Sequence, residues 1–217
     1  MKRDQLVQWT LHEVRGRRDR AGEKHTMLVG VRDLADGSRR ELEAFILDPR
    51  DPTPFAELSP ICEMAGSRTN IGVRITNGYV LIEDKQYRGM QIGAYCFNLI
   101  VQWAKDHHAD RIVEPIEVSE PADMDPAHRN AFYKGFGIKF KYSQEAKHPM
   151  GVGESLRMRA GELRTRSTED LSGIRSINLV SHLVEGLRCQ ASSQLMADRH
   201  AADYKELAFP QHDGHFR

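Results

Sequence analysis

The chain has 217 residues, 40% of them hydrophobic and 29% charged, enough to bury a full core in one domain with an appendage and no disulfide or metal staple. Its 31 Lys and Arg balance 31 Asp and Glu, so no net field draws it to nucleic acid or an anionic membrane. No apolar run reaches the roughly 18 residues of a membrane span, Met-Lys-Arg-Asp-Gln is no secretory leader, and Cys62, Cys96 and Cys189 follow no metal or redox spacing, so a soluble, cytoplasmic, metal-free protein is expected.

Val7, Trp9 and Leu11 alternate with polar neighbours and predict a first strand, although they also fit an amphipathic helix. Arg15, Arg17, Arg18 and Arg20 crowd together after it, as in a solvated hairpin loop. Strands are expected over residues 26–33 and 41–47 across Ala35-Asp36-Gly37-Ser38, before the proline-punctuated stretch 48–54 breaks the pattern. Phe55, Leu58, Ile61, Cys62, Met64 and Ala65 recur at helical spacing, which predicts a short helix kinked or shortened at Pro60. Strands over 71–76 and 79–83 then flank Asn77-Gly78, a pair that tolerates the positive φ of a two-residue hairpin turn.

A helix over 90–107 follows, with Ile92, Tyr95, Cys96, Leu99, Ile100 and Trp103 as its apolar stripe and Lys105, His107 and His108 in the last turns, where cations suit the helix dipole. Cys96 reads as a small buried hydrophobe rather than a thiol nucleophile. His107 and His108 diverge by about 100° on a helix and cannot share a metal. Residues 111–118 read as a buried strand. Asp125-Pro126 opens a second helix through Tyr133, Gly137 ends it, and two strands follow near 138–142 and 155–159. From Arg164 strand signals vanish. Leu171, Ile174, Ile177, Val180, Leu183, Val184 and Leu187 form a helical stripe behind a capping-box spacing of Ser167 and Asp170. A domain over 1–163 with a helical extension over 164–217 is therefore expected, and the stripe reads as packing against the domain or against a second copy of it, which would close a homodimer. His212 and His215 lie in a tail without metal-like support.

Tyr87-Arg88-Gly89-Met90-Gln91-Ile92-Gly93-Ala94 falls where the alternating run ends and the helical one begins. A glycine-bearing turn at a helix N-terminus exposes unpaired N–H groups beside the positive end of the dipole, a cradle for a diphosphate. Arg88 adds a positive charge, and Gly89 and Gly93 permit close backbone approach. The dinucleotide fingerprint G-x-G-x-x-G is absent. One strand and one helix downstream stands Asn130-Ala131-Phe132-Tyr133-Lys134-Gly135-Phe136-Gly137-Ile138. With both segments in place, the chain resembles the GCN5-related N-acetyltransferase (GNAT) superfamily. Arg88 and Gly93 fit the ends of that family's phosphate motif, and Tyr133 with Gly137 fits its second. The likeness covers about residues 69–163, including a closing Leu156-Arg157-Met158-Arg159. It departs at Gln91, where the family has glycine and where a side chain is compatible with a helical φ/ψ, and at Arg129, where members often carry a small residue.

The resemblance implies an α/β (α+β) fold with a central mixed, mostly antiparallel sheet flanked by helices. It implies acetyl-CoA as co-substrate, in a V-shaped opening between the strand ending near Glu83 and the strand 111–118. Ile82 and Glu83 would hold the pantetheine arm, and Arg88, Gly89, Met90, Gln91, Ile92, Gly93 and Ala94 the diphosphate. An amine acceptor attacks the thioester directly, which requires a base and an acid. Tyr133 matches the family's acid position. Glu83, on the face of Tyr79 and Leu81, is the first candidate base; Glu117 is the second, and His128 a third that reads more readily as a surface residue of its helix. The acceptor is not legible, because the loops that would contact it, 48–68 and 141–153, vary most freely. The competing expectation is a GNAT-like binding protein without turnover, whose C-terminal helices engage a partner.

Overall fold

The computed structural model describes residues 8–16, 21–48, 51, 53–76, 82, 84–119, 126–143 and 151–178, with positions 181, 182, 184, 188, 192 and 196. Strand β1 (Gln8–Arg15) pairs antiparallel with β2 (Lys24–Asp33), settling the first segment as strand rather than helix. Arg17, Arg18 and Arg20 lie outside the described residues. β2 pairs with β3 (Arg39–Leu47) through the expected turn, where Gly37 takes φ 66° and Asp36 Oδ1 accepts from the Ser38 N–H (2.9 Å).

The helix expected over 55–65 is replaced by a short 3-10 turn, Phe55–Glu57, and a strand, β4 (Cys62–Arg68). Pro60 ends any helix there, and Cys62, Met64 and Gly66 are buried in alternation, the period of a strand. β4 pairs with β3 (Leu42 opposite Met64) and with β5 (Val73–Arg74) across a turn closed by Thr69 N–H to the Gly72 carbonyl (3.0 Å). The turn proposed at Asn77-Gly78 lies outside the described residues, and of 79–83 only Ile82 is described.

Helix α1 (Ile92–His108) packs on the sheet and fully buries Phe97, Ile100 and Trp103. β4 makes room for it by having glycine at 66, where a Cβ would meet the Trp103 ring at 2.5 Å. After α1 the chain forms β6 (Glu117–Val118), α2 (Pro126–Gly135), β7 (Phe140–Tyr142) and β8 (Gly153–Ser155). α2 ends at Gly135, and Gly137, two residues on, takes φ 81°. The small sheet runs β6-β8-β7, and the larger one β5-β4-β3-β2-β1-β9. A parallel bridge, Val73 to Val113, joins them.

Beyond Arg164 the sequence misleads. The Ser167–Asp170 capping box forms, with Ser167 N–H and Oγ bonded to Asp170 Oδ2 (both 3.0 Å) and Asp170 N–H to Ser167 Oγ (3.2 Å). It closes a single turn, and the chain then enters strand β9 (Ile174–Ile177) beside β1. Leu171, Ile174 and Ile177 therefore belong to a turn and a strand, not to one helical stripe. One compact unit spans Met1–Ser176 and a second Ile177–Arg217. In the second, Ser181, His182, Val184, Arg188, Ser192 and Met196 are helical and exposed, and Asn178 caps the start through Oδ1 to the Ser181 N–H (3.1 Å). Val180, Leu183, Leu187, Cys189, His212 and His215 lie outside the described residues. No helix among the described residues is long and apolar enough to cross a membrane.

Candidate functional site

The turn before α1 is built from both ends. Asp84 Oδ1 caps a 3-10 turn (Lys85–Tyr87) by accepting from the Gln86 N–H (2.9 Å), and Arg88 Nε donates to the Ile82 carbonyl (2.8 Å). Gly89 then takes φ 83°, is exposed, and has no atom within 4 Å of where a Cβ would lie. Met90 and Ile92, fully buried, fix the turn to the core. The first helical bond runs from the Tyr95 N–H to the Gln91 carbonyl (2.9 Å). The N–H groups of Ile92, Gly93 and Ala94 therefore have no partner within the helix. Gln91 does not take the expected helical conformation: it sits at φ 64°, ψ 6°, the left-handed region its glycine counterpart would favour.

Along α1 the polar residues Gln91, Asn98 and Lys105 recur every seven positions, close to two helical turns, and share one face. Each grips the backbone of residues 161–173, which run antiparallel to the helix. Lys105 Nζ donates to the carbonyls of Gly161 (3.1 Å) and Leu163. Asn98 Oδ1 accepts from the Arg166 N–H (2.7 Å) while its Nδ2 donates to the Arg166 carbonyl (3.3 Å). Gln91 Nε2 donates to the Asp170 carbonyl (2.6 Å) and its Oε1 accepts from the Gly173 N–H (3.1 Å). The Arg166 guanidinium lies 4.7 Å from the Phe136 ring centre and leaves no room for a Cβ at Gly135. This strap was not legible in the sequence; the heptad of carboxamide, carboxamide and amine is the signal that would have found it.

The second feature is a break in the sheet. Val73 N–H donates to the Ile112 carbonyl (2.8 Å) and Glu114 N–H to the Val73 carbonyl (2.9 Å), one full parallel bridge. In a continued ladder the Ile116 N–H would donate to Ile75. Pro115 intervenes with no N–H to offer, and Ile116 turns to the other neighbour: its N–H donates to Ser155 Oγ (2.9 Å) and its carbonyl accepts from the Ser155 N–H (3.0 Å). The strands part here, leaving a groove of about 730 Å³ lined by Ile75, Thr76, Pro115, Glu117 and Tyr133 among others. Among the described residues β5 (Val73–Arg74) bridges the segment 112–114; the strand ending near Glu83, expected beside 111–118, lies outside the described residues.

Tyr133 is buried among Phe97, Phe132 and Phe140, with ring centres 5.2–6.0 Å away. Its hydroxyl has no hydrogen-bond partner among the described residues, and burial pushes the phenol up, partly offset by the Arg129 charge. Arg129, one helical turn earlier, donates to the carbonyls of Ser119 and Gly151 (3.0 Å) and ties α2 to the strand ends around the groove. Glu114, at the groove's edge, is held below the usual carboxylate range by the Thr69 hydroxyl and by Arg74, to which it is ion-paired at 2.8 Å. Glu117 is exposed on β6 opposite Glu154, and His128 is exposed on α2. Glu83 lies outside the described residues. The structure thus brings Tyr133 and Glu117 to one groove, whose lining does not include the turn 88–94.

Two other clusters are structural in character. Cys96 is fully buried against Cys62, whose thiol contact and the surrounding burial push the Cys96 thiol up, the opposite of an activated nucleophile. His12 is buried on β1; its Nε2 bonds Thr10 Oγ1 (2.9 Å) and the Tyr95 hydroxyl (3.0 Å), while Nδ1 finds no partner. Burial lowers His12 to about 4 and pushes Tyr95 up to about 12. Comparison of the chain with family models, curated proteins and solved structures finds no match.

Proposed function

We propose that the chain is an acyl-CoA-dependent N-acyltransferase that moves an acetyl group from acetyl-CoA to a primary amine by direct transfer. The reading rests on two segments with GNAT-like motifs, and the observation that carries it is the parting of neighbouring parallel segments at Pro115, with Tyr133, whose hydroxyl has no hydrogen-bond partner among the described residues, lining the groove there. The turn 88–94 suits a diphosphate: Gly89 is exposed with open space above it, and Gln91 has the backbone conformation of the glycine it replaces.

Acetyl-CoA, when bound, supplies a thioester carbonyl and a thiolate leaving group. Arg88 and the amides of Ile92 to Ala94, which have no partner within the helix, would bind its diphosphate, and Ile82 and Glu83 its pantetheine arm. Tyr133 holds the proton for the leaving thiolate; its raised pKa keeps the hydroxyl protonated at neutral pH. Glu83 is the first choice to take the amine's proton and Glu117 the second; water can relay it, because the groove is open. A cytoplasmic setting with reduced Cys62 and Cys96 fits this chemistry.

The test is thiol release from acetyl-CoA over a panel of primary amines. Replacing Tyr133 with Phe should lower kcat by roughly 10²–10⁴-fold, the usual share of a general acid; an equally fast variant removes Tyr133 from the role. One observation favours the second reading, a binding protein without turnover: Gln91 is engaged by the chain's own strap. Absence of acetyl-CoA binding at millimolar concentration in a calorimetric titration would select it.

A further inference from the structure

Among the described residues Gln91 is the one non-glycine with positive φ, a conformation that a Cβ makes costly and that glycine would take freely. What glycine cannot supply is the carboxamide. Its two bonds, to the Asp170 carbonyl and from the Gly173 N–H, both go to the turn 167–173. That turn is a preformed unit: the Ser167–Asp170 box closes it, Leu171 is buried beneath it, and the Gly173 carbonyl accepts from the Arg15 N–H (2.7 Å). Lys105 and Asn98 hold the strap further along α1, whereas Gln91 is part of the phosphate turn itself. The segment 167–173 therefore lies within one side-chain length of the first turn of α1, where the amides of Ile92, Gly93 and Ala94 have no partner within the helix. It also brings Glu169 and Asp170, and the Ser167 N–H and hydroxyl keep the Asp170 carboxyl ionised, below its usual range.

We propose that residues 167–173 form a lid on the phosphate turn and that Gln91 is its latch, so that the amide cradle opens to acyl-CoA only when the Gln91 carboxamide releases Asp170 and Gly173. The proposal rests on the acyl-CoA reading and adds its regulation. Release of the latch costs two ordinary hydrogen bonds, which by itself weighs roughly tenfold against the open form and weakens apparent affinity by the same factor.

The experiment titrates the full chain with coenzyme A by calorimetry, for the wild type, Gln91→Gly and Gln91→Ala, and follows amide hydrogen exchange over 167–174 with and without the ligand. The lid requires about tenfold tighter binding in both variants and, in the wild type, faster exchange of 167–174 once coenzyme A is bound. That second readout needs no variant to fold. Binding by the wild type that leaves 167–174 unchanged or more protected overturns the lid alone, as does equal or weaker binding by both variants. No binding by any of the three at millimolar coenzyme A overturns the acyl-CoA reading and the lid together.

Discussion

The two flanks of α1 do different work. One buries Cys96, Phe97, Ile100, Trp103 and Ala104, all essentially inaccessible, in the core shared with the sheet and α2. The other presents Gln91, Asn98 and Lys105 to the backbone of a strap. Apolar burial is non-directional and grows with area, so the first flank fixes that the domain folds. Hydrogen bonds contribute little net energy and much geometry, so the second fixes where 161–173 lies. Loss of the first should cost the fold, and loss of the second should cost position.

The largest expected effect tests the first flank. Phe97 is fully buried and meets Phe132, Tyr133 and Phe136 at ring-centre distances of 5.4, 6.0 and 4.8 Å. Phe97→Ala leaves a cavity between α1 and α2 and should destabilise by about 3–5 kcal/mol in urea unfolding. A loss under about 1 kcal/mol would mean that the two helices do not share this core.

Next comes acid. His12, beside Tyr95 on α1, is kept neutral by burial, its pKa lowered to about 4 from 6.5. The unfolded chain takes up this proton below about pH 6.5 and the folded one only near 4, so stability falls as pH drops through that window and levels off below it. The loss should be on the order of 2 kcal/mol. Thermal melts at pH 7 and pH 4.5 check it. His12→Gln should flatten the difference, and an unaltered pH slope in that variant would assign the acid sensitivity to carboxylates elsewhere.

On the polar flank, Asn98→Ala removes both bonds to Arg166. It should cost about 1–2 kcal/mol, because the exposed strap groups regain water. Exchange should rise over 163–168 with little change at Ile100 or Trp103. Equal loss of protection on both flanks would show that strap and core unfold as one.

The contrast also explains what could be read from residues alone. Ile92, Cys96, Ile100 and Trp103 repeat with the period of the helix that buries them, so α1 was legible to within two residues. Cys62, Met64 and Ala65 fit helical spacing as well as alternation, and over so short a run the pairing of β4 with β3 decides. Ile174 and Ile177 fit a helix in the same way until β1 offers an edge. Of the candidate site, Tyr133 and the turn 88–94 were legible as motifs. The parting at Pro115 was not, since its effect depends on the hydroxyl of Ser155, distant in sequence. Nor was the strap: a carboxamide that binds backbone imposes no residue preference on the segment it holds.

The smallest expected effect on stability separates strain from latch at Gln91. Gln91→Gly removes the two bonds to 170 and 173, and it also removes a Cβ from φ 64°. The bonds are worth about 1–2 kcal/mol net and the left-handed conformation costs about 1–2 kcal/mol for a residue with a Cβ, so the two nearly cancel and the melting temperature should shift little. Gln91→Ala loses the bonds and keeps the strain, and should be about 1–2 kcal/mol less stable than the glycine variant. Both should show the same faster exchange over 167–174, because they lose the same latch. If the two variants are instead equally stable, residue 91 has relaxed out of the left-handed region once untied, and the strain is imposed by the strap rather than by the turn.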